Sequence, residues 1–245
     1  FLETKLETSS RMFEFVYKMF GEGSAAIPKE GMEAIPKQLR QKLKQTSIKI
    51  NTKVTSVGGQ QITLADGTKL ESHYTIVAAE VSNLVKSLKN NPTDWKSCRS
   101  LYFETDSKII DKRLLGLIPK KEALINNIFY NTSLEAASKG KKDLLSVTVI
   151  DDKRLSSQQL IEQVKTELKD YCGIDTIRML KQYVIPMALP QIEGLKYEML
   201  PLETCLNTRL FLAGDTLLNG SLNAAMISGE TAALGVVESW SNNIR

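Results

Sequence analysis

Apolar residues recur at three- and four-residue intervals in four stretches of the chain and at two-residue intervals between them, a pattern of helices interleaved with strands. Met12, Phe13, Val16, Tyr17 and Phe20 follow the hydroxyls of Thr8, Ser9 and Ser10. That spacing predicts an amphipathic helix with a polar cap, stopped by Gly21 and Gly23. Met32, Ile35, Leu39 and Leu43 predict a second helix over 31–43, with Pro36 near its start and Lys37, Arg40, Lys42 and Lys44 largely opposite. From Ile48 to Ala79 the period shortens to two, and Gly58-Gly59 and Asp66-Gly67 stand where hairpin turns belong. A three-stranded meander is predicted. Its last strand, Tyr74 to Ala79, is apolar enough to lie deep in a sheet, covered on both faces.

Asn90-Asn91-Pro92-Thr93-Asp94 is the clearest break in composition, and a different domain is predicted to begin there. Beyond it lie strand patterns at Arg99–Thr105, Ile125–Tyr130 and Leu144–Ile150. Ser156 and Ser157 can cap a helix over Gln158–Tyr171, with Leu160, Ile161, Val164 and Leu168 inward and Gly173 as its stop. Ile177 to Leu189 reads as a strand. Near the C-terminus, Arg209–Ala213 is a buried-strand run that breaks at Gly214-Asp215 and returns as a helix over about Ser221–Trp240. No internal repeat or low-complexity segment interrupts this order.

The 245 residues carry 32 Lys and Arg against 28 Asp and Glu, spread along the chain, so neither a polyanion groove nor a nucleic-acid partner is indicated. Cys98, Cys172 and Cys205 are far apart and odd in number, which predicts no disulfide scaffold and a reducing, cytoplasmic compartment. One histidine, His73, leaves no imidazole set for a metal, so no metal site is expected, and no catalytic base is assigned. His73 itself reads as an exposed or satisfied strand residue. No apolar run reaches the ~18 residues of a membrane span. Lys120-Lys121 and Lys139-Gly140-Lys141-Lys142 read as solvated loops. Tyr102, Tyr183 and Trp95 either line an apolar substrate cavity or sit in the core.

Gly21-Glu22-Gly23-Ser24-Ala25-Ala26 has the spacing of a dinucleotide fingerprint, but its glycines follow a helix and not a strand, so it reads as a helix stop. The unit Phe211 to Thr216 followed by Gly220 to Ala225 suits an anion and cofactor site better. A carboxylate at a strand's end accepts from ligand hydroxyls, and free N–H groups at the next helix start favour negative charge. The same residues read equally as a packed βα unit, with Ser221 as cap and Asp215 as a turn residue.

The run Leu210 to Ala233, LFLAGDTLLNGSLNAAMISGETAA, resembles the C-terminal FAD motif of the flavin-containing amine oxidase, phytoene desaturase and protoporphyrinogen oxidase superfamily. Further likenesses follow in order. Ala26 to Met32 with Ile35-Pro36 resembles its "P-x-G-G-M" helix start, Asn51 to Val57 its adenine-side strand, Thr75 to Glu80 its "IVAAE" strand, and Tyr183 to Pro190 the strand that reaches the substrate. Ala224 and Glu30 stand where the family commonly has glycine.

The resemblance implies an α/β (α+β) chain: a partial FAD-binding Rossmann-like domain with an inserted mixed-sheet substrate domain flanked by helices. It places 27–88 and 196–245 in the FAD-binding part and 1–26 and 89–195 in the substrate part. Carried over by position, it implies that Asp215 and Gly214 hold the flavin ribityl or pyrophosphate region. The N–H groups of Leu222, Asn223, Ala224 and Ala225, after Ser221, would face the flavin pyrimidine edge, and Val54 would meet the adenine through its backbone. The implied activity is FAD-dependent hydride removal from a C–N or C–C bond of a small apolar or amine substrate. A flavin-dependent isomerase, and a non-redox binding protein like the Rab GDP-dissociation inhibitors, are the alternatives. The family's opening GxGxxG unit has no counterpart after Phe1, so the chain is expected to be an N-terminally truncated fragment that retains FAD poorly or not at all.

Overall fold

The computed structural model describes residues 2, 8–89, 92–110, 112–135, 140–150 and 154–243; Phe1, Asn90, Asn91 and Lys139, named above, lie outside the described residues. In chain order the elements are α1 (Ser10–Glu22), α2 (Ala34–Lys42), β1 (Val54–Val57), β2 (Gln61–Leu64), β3 (Lys69–Glu71), β4 (Thr75–Val77), β5 (Trp95–Thr105), β6 (Gly116–Leu117), β7 (Ile125–Tyr130), β8 (Asp143–Val149), α3 (Ser157–Cys172), β9 (Thr176–Pro190), β10 (Cys205–Asn207), β11 (Leu210–Leu212) and α4 (Leu222–Asn243). Helices and strands mix throughout, as an α/β chain requires. Two compact units share them. One comprises 1–6, 23–45 and 96–188, the other 7–22, 46–95 and 189–245. The chain crosses between them at 95/96 and 188/189, where the resemblance implied 88/89 and 195/196; α1 falls in the unit of α4 and α2 in that of α3.

In the first unit, β5 to β9 form a five-stranded sheet of order β6-β7-β8-β5-β9. Leu101, Phe103 and Thr105 of β5 alternate with exposed or half-buried residues, as do Leu145, Val147 and Val149 of β8, so one face is apolar. Leu160, Val164 and Leu168 of α3 recur at three- and four-residue intervals, are fully buried and join the same cluster. Each such side chain contributes about 2 kcal/mol by leaving water. Ser156 Oγ accepts the Gln159 N–H while the Gln159 side chain accepts the Ser156 N–H, a reciprocal cap, and Gly173 closes the helix.

In the second unit, β1, β2 and β3 make an antiparallel meander, and β10, β11 and β4 a separate sheet in which β11 and β4 run parallel. This corrects the predicted meander. Its third strand is the short Lys69–Glu71, and 75–77 leaves to pair with Leu210–Leu212. The turn at Asp66-Gly67, held by Thr68 N–H to Asp66 Oδ1 at 2.9 Å, returns the chain early enough for three residues to finish the hairpin. Nor is β4 covered on both faces: it is the last strand of its sheet among the described residues, with Thr75 and Val77 buried and Ile76 40% exposed. Phe211, Ala213 and Ala232 bury α4 against β11. The helix α1 buries none of its residues, but Tyr197 Oη donates to the Arg11 carbonyl at 2.9 Å.

Candidate functional site

The residues that carry the most chemistry lie where β11 ends. Leu210 and Phe211 are buried and fix the strand, and the Ala213 N–H donates to the Val77 carbonyl at 2.9 Å, extending the parallel pairing one residue. Gly214 then takes φ 141°, ψ 163°, a conformation closed to most L side chains. Its N–H donates to Ser228 Oγ at 2.9 Å, and the same hydroxyl donates back toward the Gly214 carbonyl at 2.9 Å and lies 3.1 Å from the Ala225 carbonyl. Asp215 opens a single 3-10 turn whose carbonyl accepts the N–H groups of Leu218 at 3.2 Å and Gly220 at 3.0 Å. The Asp215 carboxylate is half-buried and has no hydrogen-bond or ion-pair partner among the described residues.

Ser221 begins α4 as a working cap: its hydroxyl donates to Asn219 Oδ1 at 2.7 Å and accepts the Ala224 N–H at 3.1 Å, while the Ala225 N–H reaches the Ser221 carbonyl at 3.0 Å. The resemblance implied that the N–H groups of 222 to 225 all face a ligand. Those of Ala224 and Ala225 are turned onto the cap, which leaves Leu222 and Asn223 as the first-turn donors.

Three cavities in this unit collect the sequence-predicted residues. Val54 borders one of about 800 Å³, walled also by Thr55, Ile76 and Ala78 to Glu80. Gly214 and Asp215 border one of about 170 Å³, with Ala78, Ala79, Glu80 and Trp95 opposite. These two share the rim Ala78-Ala79-Glu80. Asn223 and Ala224 border a third, of about 400 Å³, beside Phe15, Met19, Tyr197 and Ile227. Ser221, Leu222 and Ala225 line none of the three.

Glu80 is a site residue that sequence reasoning passed over. Its Oε1 accepts from the Ser82 N–H at 3.2 Å and hydroxyl at 2.8 Å, and its Oε2 from Trp95 Nε1 at 3.1 Å, so three hydrogen bonds hold the carboxylate of a residue that borders the same cavity as Asp215. A usable signal existed: β4 and β11 are parallel neighbours, and each is followed three residues later by a carboxylate, Glu80 after Val77 and Asp215 after Leu212.

In the other unit, Tyr102 and Tyr183 meet edge to face with centroids 5.9 Å apart. They border a cavity of about 400 Å³ with Ser100, Val184, Ile185, Pro186 and Met187, on the sheet face opposite α3. Trp95 does not join them; its indole serves Glu80. His73 is exposed, its ring edge-on to Trp240 at 6.0 Å. Lys120 is exposed but not idle, its ammonium lying 3.9 Å over the Tyr171 ring. The segment 21–26 contains the end of α1 and no strand, which disposes of the fingerprint reading. Among the described residues, no helix is long and apolar enough to cross a membrane.

A sequence model of the flavin-containing amine oxidoreductases matches residues 1–237. No curated protein matches the sequence. Solved structures share the fold at low identity. A protein described as a protoporphyrinogen oxidase from Exiguobacterium sp. 255-15 is 14% identical with a TM-score of 0.60, over 86% of this chain and 51% of that one. A fatty acid isomerase from P. acnes that produces CLA is 10% identical with a TM-score of 0.57, over 84% and 51%. A redesigned putrescine oxidase is 10% identical with a TM-score of 0.57, over 84% and 53%. The chain spans about half the length of these structures.

Proposed function

The chain belongs to the family of flavin-containing amine oxidoreductases, and from that premise we propose that it supplies the substrate domain and the second half of the FAD-binding domain of a longer FAD-dependent oxidoreductase. The reaction is removal of a hydride from a C–N or C–C bond of a largely apolar or amine substrate. FAD, when bound, supplies the hydride acceptor. The observation that carries the reading is the Asp215 carboxylate, partly buried on a cavity wall with no protein partner among the described residues. A carboxylate so placed is poised to accept from hydroxyl groups of a ligand, and those of the ribityl chain fit it.

The rest of the site is consistent with that group. Gly214 admits close approach at the strand end, and the N–H groups of Leu222 and Asn223, with the dipole of the 22-residue α4, favour negative charge on a ligand. Val54, on the larger cavity, offers backbone to an adenine. Tyr102, Tyr183, Ile185 and Met187 give the substrate unit an open apolar pocket with two polar tips, which suits an apolar substrate. In this reading 27–88 and 196–245 serve the cofactor, and 1–26 and 89–195 the substrate.

The test is the visible absorption of the protein extended back to its initiating Met beside that of these 245 residues. A flavin band in the long form and none, or a weak one, in the short supports the proposal. Colourless protein in both after incubation with FAD moves the reading to a binding protein on the same scaffold. Product analysis under anaerobic turnover then separates oxidation from isomerisation.

A further inference from the structure

Gly214 is the first residue past the parallel ladder of β4 and β11, which ends with the Ala213 N–H on the Val77 carbonyl. From there the sheet no longer dictates where the backbone goes, and glycine dictates nothing itself. The next turn takes part, the Leu217 N–H donating to the Gly214 carbonyl at 3.3 Å, and one side chain does the rest. Ser228 is fully buried, and its hydroxyl lies 2.9 Å from both the N–H and the carbonyl oxygen of Gly214. The group accepts from the first and donates to the second, sharing its proton with the Ala225 carbonyl at 3.1 Å. Neither an alanine nor a solvent molecule replaces that pair of bonds at a site closed to water.

We propose that Ser228 is a positioning residue: it ties the Gly214-Asp215 corner to α4 and so sets where the Asp215 carboxylate stands on the cavity that it borders with Glu80. The inference rests on the FAD reading above and adds to it the residue that holds the site in register. Ser228 acts through Asp215 and touches no ligand itself. Its smallness, which lets α4 approach β11, is a separate property that alanine retains.

The experiment is a double-mutant cycle on FAD affinity in the protein extended to its initiating Met, with amide exchange at Gly214 followed in parallel on labelled protein. Ser228→Ala is expected to weaken FAD binding by about 10-fold, the size of one lost buried hydrogen-bond pair, and to speed exchange of the Gly214 amide by a similar factor. In the Asp215→Asn background the same change adds less than about 2-fold, because the group it positions is already altered. Ser228→Cys, of similar shape with a weaker donor, falls between, and carries the comparison if the alanine variant does not fold. Equal FAD affinity in wild type and Ser228→Ala, or fully additive losses with Asp215→Asn, overturns the positioning role and leaves the cofactor reading standing. A wild type that takes up no FAD overturns the cofactor reading and the proposal together, whatever the amide exchange shows.

Discussion

Glu167 sits on α3 yet serves β7. Its carboxylate is 5% exposed and accepts the Leu124 N–H at 2.9 and 3.0 Å and the Ile125 N–H at 3.1 Å, where that strand begins. Removing it strands two buried donors, so Glu167→Ala is expected to lower unfolding free energy by about 3 kcal/mol. Glu167→Gln, which keeps one acceptor, costs less; urea denaturation of both checks the order. A second prediction concerns the thiols. Burial pushes Cys98 and Cys172 above the usual thiol range, so their folded forms hold the proton to higher pH than the unfolded chain. Their contribution to stability is full below the unfolded thiol value and falls as pH rises toward the folded one. At pH near 8 both should react with maleimide more slowly than a free cysteine, whose pKa is about 8.5, and the rate should keep rising above it. Labelling of either at the free-thiol rate contradicts this.

At the scale of elements, the docking of α4 on β11 turns on one absent side chain. A Cβ on Gly235 would stand 2.8 Å from the Pro201 carbonyl and 2.9 Å from Phe211 Cε1. Gly235→Ala should therefore push the helix away at a cost of about 1 to 3 kcal/mol. Gly229, on the same helix, has nothing within 4 Å of the built position, so Gly229→Ala should stabilise by up to about 1 kcal/mol. Thermal melts of the two variants should move in opposite directions.

These elements also show what the sequence carries and what it omits. Periodicity and caps located α3 and β7 almost to the residue, because Ser156, Gly173 and the buried Leu160-Val164-Leu168 stripe are local signals. The parallel pairing of Thr75–Val77 with Leu210–Leu212 is not local, and β3 contains a single apolar residue, Leu70, so reading along the chain merged 74–79 into the meander. Asp215 was legible as a carboxylate at a strand end. The roles of Glu80, Glu167 and Ser228 were not, since each is defined by a partner 14 or more residues away.

At the scale of the whole molecule, each unit has its own core: Leu101, Phe103, Leu145, Val147 and α3 in one, Val57, Val77, Leu210 and Phe211 in the other. Two cores need not melt together. The chain labels them conveniently, for Trp95 and Trp240 are its two tryptophans and both belong to the second unit. Trp240 packs near Tyr74 and His73, whereas Trp95 bonds Glu80 but also opens β5, so the emission of Trp240, read in a Trp95→Phe background, reports the second unit. Leu145→Ala, at a fully buried position of β8, removes about 2 to 5 kcal/mol from the first unit. If the units unfold independently, far-ultraviolet circular dichroism loses the α3 and sheet signal at lower urea in this variant while the tryptophan midpoint stays put. A tryptophan midpoint that falls with the dichroism would instead mean that the two cores share one cooperative transition. In that case a substitution in the five-stranded sheet also weakens the corner where Ser228 holds Gly214.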